Sequence, residues 1–299
     1  MALRLFAVVV LALCMTAQQA RAQQQFQLYA HVVDATSGNP VSALDPADLR
    51  VMENGVEVKV LKAEPINWPV KLQLLVDNGV GLGSQNLQIL REGLRGLLAA
   101  LPEGVEVTIV TTAPQPRQLV RATTDRKAMV DGLGRLTPDT GAGRFVESLN
   151  EATQRIEKDK SDAFPVIISV GTSSGDANVM ERDINRMFER LQKRPTTVHV
   201  VLLNATGGSL SGGANQTQVG LAVTKYTRGR FENIAAATRL ATLLPEFGKQ
   251  VAESHAKQSQ QFRLTIERAP GATGDIGQIG GGARTGLVVK GLSMDGVLP

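Results

Sequence analysis

The chain has 299 residues, of which 42% are hydrophobic and only 4% are aromatic, and its formal net charge is +4. This length allows one medium-sized domain with a smaller accessory unit, since domains commonly contain about 100–200 residues. The Lys and Arg residues are dispersed rather than clustered, so we predict no nucleic-acid-binding surface.

The N-terminal residues have the pattern of a secretory signal peptide. Arg4 supplies a positive charge, residues 5–15 are apolar, and Ala20-Arg21-Ala22 fits the small-x-small cleavage pattern. The apolar run is shorter than the roughly 20 residues that span a bilayer. We therefore predict that residues 1–22 are a cleaved signal peptide and that the mature protein has no membrane span. The protein is then secreted or periplasmic, and the sequence does not distinguish between these two locations.

Residues 23–68 are predicted to form a β-rich unit. Residues 26–33 alternate between apolar and polar side chains, which is typical of a strand. Asn54-Gly55 lies between two further alternating segments, residues 49–53 and 56–61. Asn-Gly in this position is a strong signal for a two-residue hairpin turn.

From residue 69 to residue 268 the pattern alternates between buried strands and amphipathic helices. Continuous apolar runs predict strands at residues 72–76, 105–110, 164–170 and 198–203, and strand alternation returns at 260–268. Apolar residues at helical spacing predict helices at residues 85–101, 125–136, 145–156, 178–192, 218–226 and 235–255. This alternation predicts an α/β domain with a doubly wound, mostly parallel sheet and helices on both faces.

Two glycine-rich segments interrupt or follow this pattern. Residues 205–215 are predicted to be a mobile loop. Residues 269–299 are predicted to be a glycine-rich tail, disordered or looped over residues 270–284, with a last strand near residues 285–292.

Ligands of parallel sheets bind beyond the carboxyl ends of the strands. Three loops have this position in the predicted domain: residues 77–81, 139–143 and 170–176. The first begins with Asp77, and the third contains Gly171-Thr172-Ser173-Ser174-Gly175.

The order of elements resembles a von Willebrand factor type A domain. It is most similar to exported bacterial proteins with a von Willebrand factor A-related domain, in which a short β segment precedes the first core strand. The residues that carry this resemblance are Val33, Asp34, Gly38, Pro40, Val41, Leu44, Asp48, Leu49, Glu53, Asn54 and Gly55. A strand with an aromatic residue follows the last core helix in that group, and residues 261–264 fit it.

The resemblance also implies where a divalent cation would bind. The family holds the cation with an Asp-x-Ser-x-Ser loop, a threonine and a second aspartate, because a hard cation such as Mg²⁺ prefers oxygen ligands. Asp77 matches the first carboxylate. The other four ligand positions correspond to Gly79, Gly81, Gly143 and Val170. The site is therefore expected to be degenerate, with Asp77 as its remaining metal ligand and no bound Mg²⁺ or Mn²⁺.

Two alternatives remain open at this stage. A shifted alignment brings Thr140, Ser173 or Asp176 toward Asp77, which would give a cation-dependent adhesin. Gly171-x-Ser173-x-Gly175 also matches the nucleophile motif of serine hydrolases, with His255 as the base. The main prediction is a non-enzymatic protein-binding or scaffold module without a cofactor, whose partner is another protein in the cell envelope or outside the cell.

Overall fold

A computed structural model describes residues 24–174, 179–204 and 210–296, without the side chains of residues 210–214. The predicted signal peptide therefore lies outside the described residues, as does Asp176. The described chain divides into two compact units. One contains residues Asn67–Ser259, and the other combines the residues up to Ile66 with those from Gln260 onward.

The unit formed by Asn67–Ser259 contains a six-stranded sheet in the order β6-β5-β4-β7-β8-β9. Its strands are β4 (Val70–Val76), β5 (Glu106–Thr111), β6 (Arg117–Thr123), β7 (Phe164–Thr172), β8 (Thr197–Leu203) and β9 (Phe231–Ile234). All neighbours pair in parallel except β6, which is an antiparallel edge strand beside β5. The predicted α/β class with a mostly parallel sheet is confirmed.

Six α-helices accompany this sheet in the described residues. They are α1 (Ser84–Ala100), α2 (Arg126–Gly134), α3 (Phe145–Lys158), α4 (Glu181–Lys193), α5 (Leu210–Tyr226) and α6 (Leu240–Gln258). Helix α5 begins within the segment that we predicted to be a loop.

Helices cover both faces of the sheet, as the contacts of successive residues in β8 show. Val198 and Val200 belong to an apolar cluster with α3, α4 and α5. His199, between them, contacts the Phe247 ring of α6 at 5.2 Å between centroids. Because successive strand residues point to opposite faces, α6 covers the other side. The core is thus a sheet buried between two helical layers.

The second unit is an antiparallel sheet in the order β11-β2-β3-β10-β1-β12. Its strands are β1 (Gln25–Asp34), β2 (Leu49–Glu53), β3 (Val56–Pro65), β10 (Gln261–Glu267), β11 (Ile279–Ala283) and β12 (Leu287–Ser293). The predicted hairpin turn joins β2 and β3, with positive φ angles of 51° at Asn54 and 81° at Gly55. The two edge strands of this sheet, β11 and β12, lie near each other. A Cβ atom added to Gly281 of β11 would lie 3.3 Å from Cγ of Leu292 in β12.

The observed strand pairing does not follow the predicted domain boundaries. Strand β10 was predicted to end the α/β domain, yet it pairs with β1 and β3 in the middle of the antiparallel sheet. The glycine-rich tail was predicted to be loop over residues 270–284, yet β11 pairs with β2 over five residues. The β11 sequence IGGGA lacks the apolar alternation that marks a strand, so only its pairing with β2 reveals it.

A buried ion pair connects the two chain segments of the antiparallel unit. The Arg268 guanidinium donates from Nε and Nη2 to the Glu53 carboxylate at 3.0 and 2.5 Å. Both side chains are only 6% exposed. The Arg268 guanidinium also donates to the carbonyl oxygens of Gly274 and Asp275, and the N–H of Gly277 donates to Glu53. This pair therefore orders the glycine-rich segment ahead of β11.

Candidate functional site

Three loops meet at the carboxyl ends of the parallel strands. The loop after β4 contacts the loop before α3, because the N–H of Val80 donates to the carbonyl of Gly141 at 3.1 Å. It also contacts the end of β7, where the Thr172 hydroxyl donates to Asp77 at 2.8 Å. We call these three loops the rim.

The Asp77 carboxylate is at the centre of the rim and is only 3% exposed. Its Oδ1 accepts from the N–H of Gly79 at 2.8 Å, and its Oδ2 accepts from the Thr172 hydroxyl. Burial raises the pKa of Asp77, although the hydrogen bonds from Gly79 and Thr172 act in the opposite direction. Both oxygens therefore have protein donors, and the surroundings disfavour the charged form.

Glycines pack directly against this carboxylate and its neighbours. A Cβ atom added to Gly143 would lie 2.5 Å from Cγ and Oδ1 of Asp77. A Cβ atom at Gly79 would lie 2.5 Å from the carbonyl oxygen of Gly141, and one at Gly81 would lie 2.6 Å from the Thr172 hydroxyl oxygen. Real Cβ atoms essentially never approach so closely. A side chain at Gly79 would therefore displace backbone, and one at Gly81 or Gly143 would displace neighbouring side chains, including that of Asp77.

The third loop supplies a different residue from the one expected. Val170, which we aligned with the family's second aspartate, is buried within β7 and pairs with Val76. Thr172 contacts Asp77 instead, because β7 continues two residues beyond the predicted end at Val170. Thr140 is exposed, and the N–H of Ser173 donates to the carbonyl of Leu203 at 2.9 Å.

Asn78 is a structural residue of the rim that the sequence analysis missed. Its Nδ2 donates to the carbonyl of Thr137 at 2.9 Å, and its Oδ1 accepts from the N–H of Ala113 at 3.3 Å. The N–H of Asp139 donates to the Asn78 carbonyl at 2.7 Å. The available signal was the Asp-Asn-Gly sequence itself, since asparagine side chains commonly fix turns.

The oxygen atoms of Asp77 are engaged by hydrogen-bond donors of the protein. Within residues 24–174, 179–204 and 210–296, no group of three or more His, Cys, Asp or Glu side chains could hold an ion. Mg²⁺ requires six oxygens in near-octahedral geometry at about 2.1 Å. In the described part of the rim, the Asp77 oxygens accept hydrogen bonds from Gly79 and Thr172, and the Asp139 carboxylate accepts one from the N–H of Gly141 at 2.8 Å.

Residues 72–173 match the family model of the von Willebrand factor type A domain. The α/β unit therefore has a von Willebrand factor type A-like fold, and we call it the type A domain. A solved von Willebrand factor type A protein from Catenulispora acidiphila has 13% identity and a TM-score of 0.53, covering 92% of this chain and 74% of that one. A search of curated proteins finds no match.

Two further solved structures are similar to the type A domain. The conserved hypothetical protein BatB from Bacteroides thetaiotaomicron has 13% identity and a TM-score of 0.47, over 62% of this chain and 100% of that one. The von Willebrand factor domain of the pilus tip protein Mfa5 from Porphyromonas gingivalis has 12% identity and a TM-score of 0.48, over 62% and 96% respectively.

The geometry of the type A domain separates Ser173 and His255, the nucleophile and base of the alternative serine-hydrolase hypothesis. Ser173 follows the carboxyl end of β7. His255 lies at the other end, since its ring is 6.0 Å from that of Phe164, the first residue of β7, and its Nε2 is 2.9 Å from the Trp68 carbonyl oxygen. Nine strand residues at about 3.3 Å each place the two side chains roughly 25 Å apart. His255 therefore cannot act as the base for Ser173.

His199 offers no replacement as a base. It lies inside β8, where burial and then the charge of Arg230 lower its pKa to about 4. Its Nδ1 accepts from the N–H of Arg230 at 3.1 Å. The ring is thus a neutral core side chain.

The outer surface of the rim carries exposed apolar side chains. Val80 in the first loop is 59% exposed, and Met180 at the start of α4 is 66% exposed. Among the described residues, no helix is sufficiently long and apolar to cross a membrane. Val80 lies in the rim, and Met180 ends the chain segment that joins β7 to α4.

Replacing Asp77 by asparagine should change how stability depends on pH. The folded-state pKa of Asp77 is raised above the unfolded value of 3.8, so its contribution to stability is lost as pH rises from 3.8 through the folded pKa. Asparagine does not titrate, and its amide can donate to the Thr172 hydroxyl oxygen, whose hydrogen can turn to Ser174 Oγ at 3.3 Å. In denaturant titrations at pH 4, 5.5 and 7, Asp77→Asn should therefore gain stability relative to the wild type as pH rises. A loss of relative stability with rising pH would show that the charged carboxylate has a stabilising partner.

Proposed function

We propose that this protein is an exported, non-enzymatic binding module that recognises another protein through the rim of its type A domain, without a bound cation. Domains of this family are typically protein-interaction modules, some of them with metal sites. Export is inferred from the signal-peptide pattern of residues 1–22, which makes the protein secreted or periplasmic.

One observation carries the proposal: the rim closes around Asp77 with glycines. Gly79, Gly81 and Gly143 stand at the positions of the hydroxyl ligands, supply no oxygen side chain, and pack closely against the adjoining loops and Asp77. A partner carboxylate therefore has no metal ion through which to bind. The surface that remains is the exposed outer side of the rim, which includes Val80 and Met180. Contact with another protein would cover these exposed apolar side chains.

Site-specific photo-cross-linking tests this proposal. A benzophenone amino acid is placed at Val80 or Met180, with a matched probe at Val130, which lies on α2 and is 39% exposed. In the cells that naturally produce this protein, the probes at Val80 and Met180 should yield a discrete adduct with another protein, and the Val130 probe should not. The adduct should form equally with 5 mM Mg²⁺ and with a chelator.

Two results would count against the proposal. Equal adducts from all three positions would indicate contact without preference for the rim. An adduct that disappears with the chelator and returns with Mg²⁺ would indicate a cation-dependent adhesin. In that case Asp77→Asn would also abolish the adduct, whereas under our proposal the asparagine variant retains it.

A further inference from the structure

A cavity of about 200 Å³ lined by charged and apolar side chains lies at the opposite end of the type A domain from the rim. Its wall includes Lys71, Glu106 and Pro165, which lie at the amino-terminal ends of β4, β5 and β7. The cavity is small compared with drug-sized sites of roughly 300–1,000 Å³, so only a small molecule would fit. Its location makes it independent of the proposed protein-binding rim.

Three cationic and two anionic side chains line the cavity: Lys71, Arg155, Arg194, Glu106 and Asp159. Lys71 Nζ lies 2.8 Å from Asp159 and 3.8 Å from Glu106, so it is near both carboxylates. Burial alone would raise the pKa of Asp159, but the hydrogen bonds from Lys71 and Ser161 lower it to about 2. Lys71 offsets one of the two negative charges, so the three cationic and two anionic side chains together carry a net charge of +1.

Arg155 lacks a strong anionic partner. Its Nε donates to Gln73 Oε1 at 2.8 Å, and its Nη1 reaches Glu151 only at 3.5 Å. Its buried Nη2 has no hydrogen-bond partner in the described part of the chain. Arg194 donates to the carbonyl oxygen of Ser161. Two guanidinium groups on one cavity thus have unused capacity to bind an oxyanion.

We propose that this cavity binds a small monocarboxylate with hydroxyl groups, held by Arg155 and Arg194. The planar fork of a guanidinium group matches the geometry of a carboxylate. The contact between Arg155 and Glu151 is 3.5 Å, at the limit of a hydrogen bond, so a ligand competes with only a weak interaction at Nη1. Thr108 and Gln118 on the same wall offer neutral hydrogen-bonding groups for hydroxyls. Glu106 and Asp159 disfavour a multiply charged phosphate, because like charges repel.

Thermal unfolding with added anions tests the assignment. The full-length protein is unfolded with 10 mM acetate, lactate, gluconate or inorganic phosphate, each against NaCl of the same ionic strength. For a Kd of about 1 mM, gluconate should raise the Tm by about 4 °C. Lactate should have a smaller effect, and phosphate the smallest.

Three variants link the shift to the cavity. Arg155→Gln and Arg194→Gln should each weaken gluconate binding about ten-fold or more, because each removes a charged hydrogen-bond donor. Arg182→Gln is the matched control, since Arg182 is on α4, is 63% exposed and does not line the cavity. If Arg155→Gln fails to fold after the loss of its contact with Gln73, the Arg194 variant still tests the site.

Several outcomes would overturn the assignment. The cavity is not a carboxylate site if none of the three carboxylates shifts the Tm. Gluconate binds somewhere other than this cavity if its Tm shift survives in Arg194→Gln or disappears in Arg182→Gln. A phosphate shift that exceeds the gluconate shift and depends on the same arginines would overturn the choice of ligand class.

Discussion

Gly143→Ala is expected to lower the free energy of unfolding of the type A domain by about 1–3 kcal/mol, the range typical of overpacking in a well-packed interior. The new methyl group would lie 2.5 Å from Cγ of Asp77. The carboxylate cannot move away, because the N–H of Gly79 and the Thr172 hydroxyl hold it from other sides. Chemical denaturation monitored by circular dichroism measures the change.

Gly134→Ala is the matched control for this substitution. Gly134 is at the end of α2, and an added Cβ atom there meets no atom within 4 Å. Alanine has a higher helix propensity than glycine, so this variant should be neutral or up to about 1 kcal/mol more stable. If both variants behave alike, the close packing at Gly143 has no energetic role.

A double-mutant cycle identifies the cause of the Gly143 effect. Asp77→Ala removes the carboxylate that the new methyl group would contact, so the two substitutions should be non-additive by at least about 1 kcal/mol. Additive effects would place the strain elsewhere in the loop.

Arg268→Met is expected to destabilise the antiparallel β unit strongly, lowering its unfolding transition by roughly 10 °C or more. The substitution leaves the Glu53 carboxylate buried without its cationic partner, and it removes the donors to Gly274 and Asp275. Calorimetry of the full chain can follow this transition. Hydrogen exchange in residues 279–293 should increase at the same time, because the pair orders the segment that leads into β11.

Arg284→Met serves as the control in the same unit. Arg284 pairs with Asp48 at 2.9 Å but is 66% exposed, and exposed pairs contribute little to stability. The pH dependence supplies a second test. The hydrogen bond from Arg268 lowers the pKa of Glu53, so this stability is present above pH 4.5 and lost as pH falls through the folded value. Arg268→Met should lose that acid dependence, and an unchanged dependence would show that the pair does not control Glu53.

The sequence predicted the α/β core well because its strands are continuous apolar runs. Buried parallel strands such as β4 and β7 have no exposed face, so their composition alone identifies them. The edge strand β6 was missed because only Val120 in it is buried. Its position depends on pairing with β5, which no local pattern encodes.

The domain boundary could not be predicted for a related reason. Strand β10 has the same alternation whether it ends the α/β domain or lies between β1 and β3. Pairing over long sequence separations decides between these alternatives. The Glu53–Arg268 contact belongs to the observed arrangement, but it joins residues 215 positions apart, so a local sequence pattern does not reveal it.

At the rim, the sequence identified Asp77 and the glycines but not their arrangement. Gly79, Gly81 and Gly143 could belong to an open loop or to a closed one, since glycine fits both. The contact from Thr172 depends on how far β7 continues, which an apolar pattern ending at Val170 does not indicate. Packing therefore determines what the rim can bind.

The most direct test is a crystal of this protein soaked in 10 mM MnCl₂ and measured for anomalous scattering. Our account predicts no anomalous peak within bonding distance of the Asp77 carboxylate, with the Thr172 hydroxyl and the Gly79 N–H still donating to it. An octahedral Mn²⁺ coordinated by an Asp77 oxygen, with the rim loops moved apart, would contradict the account.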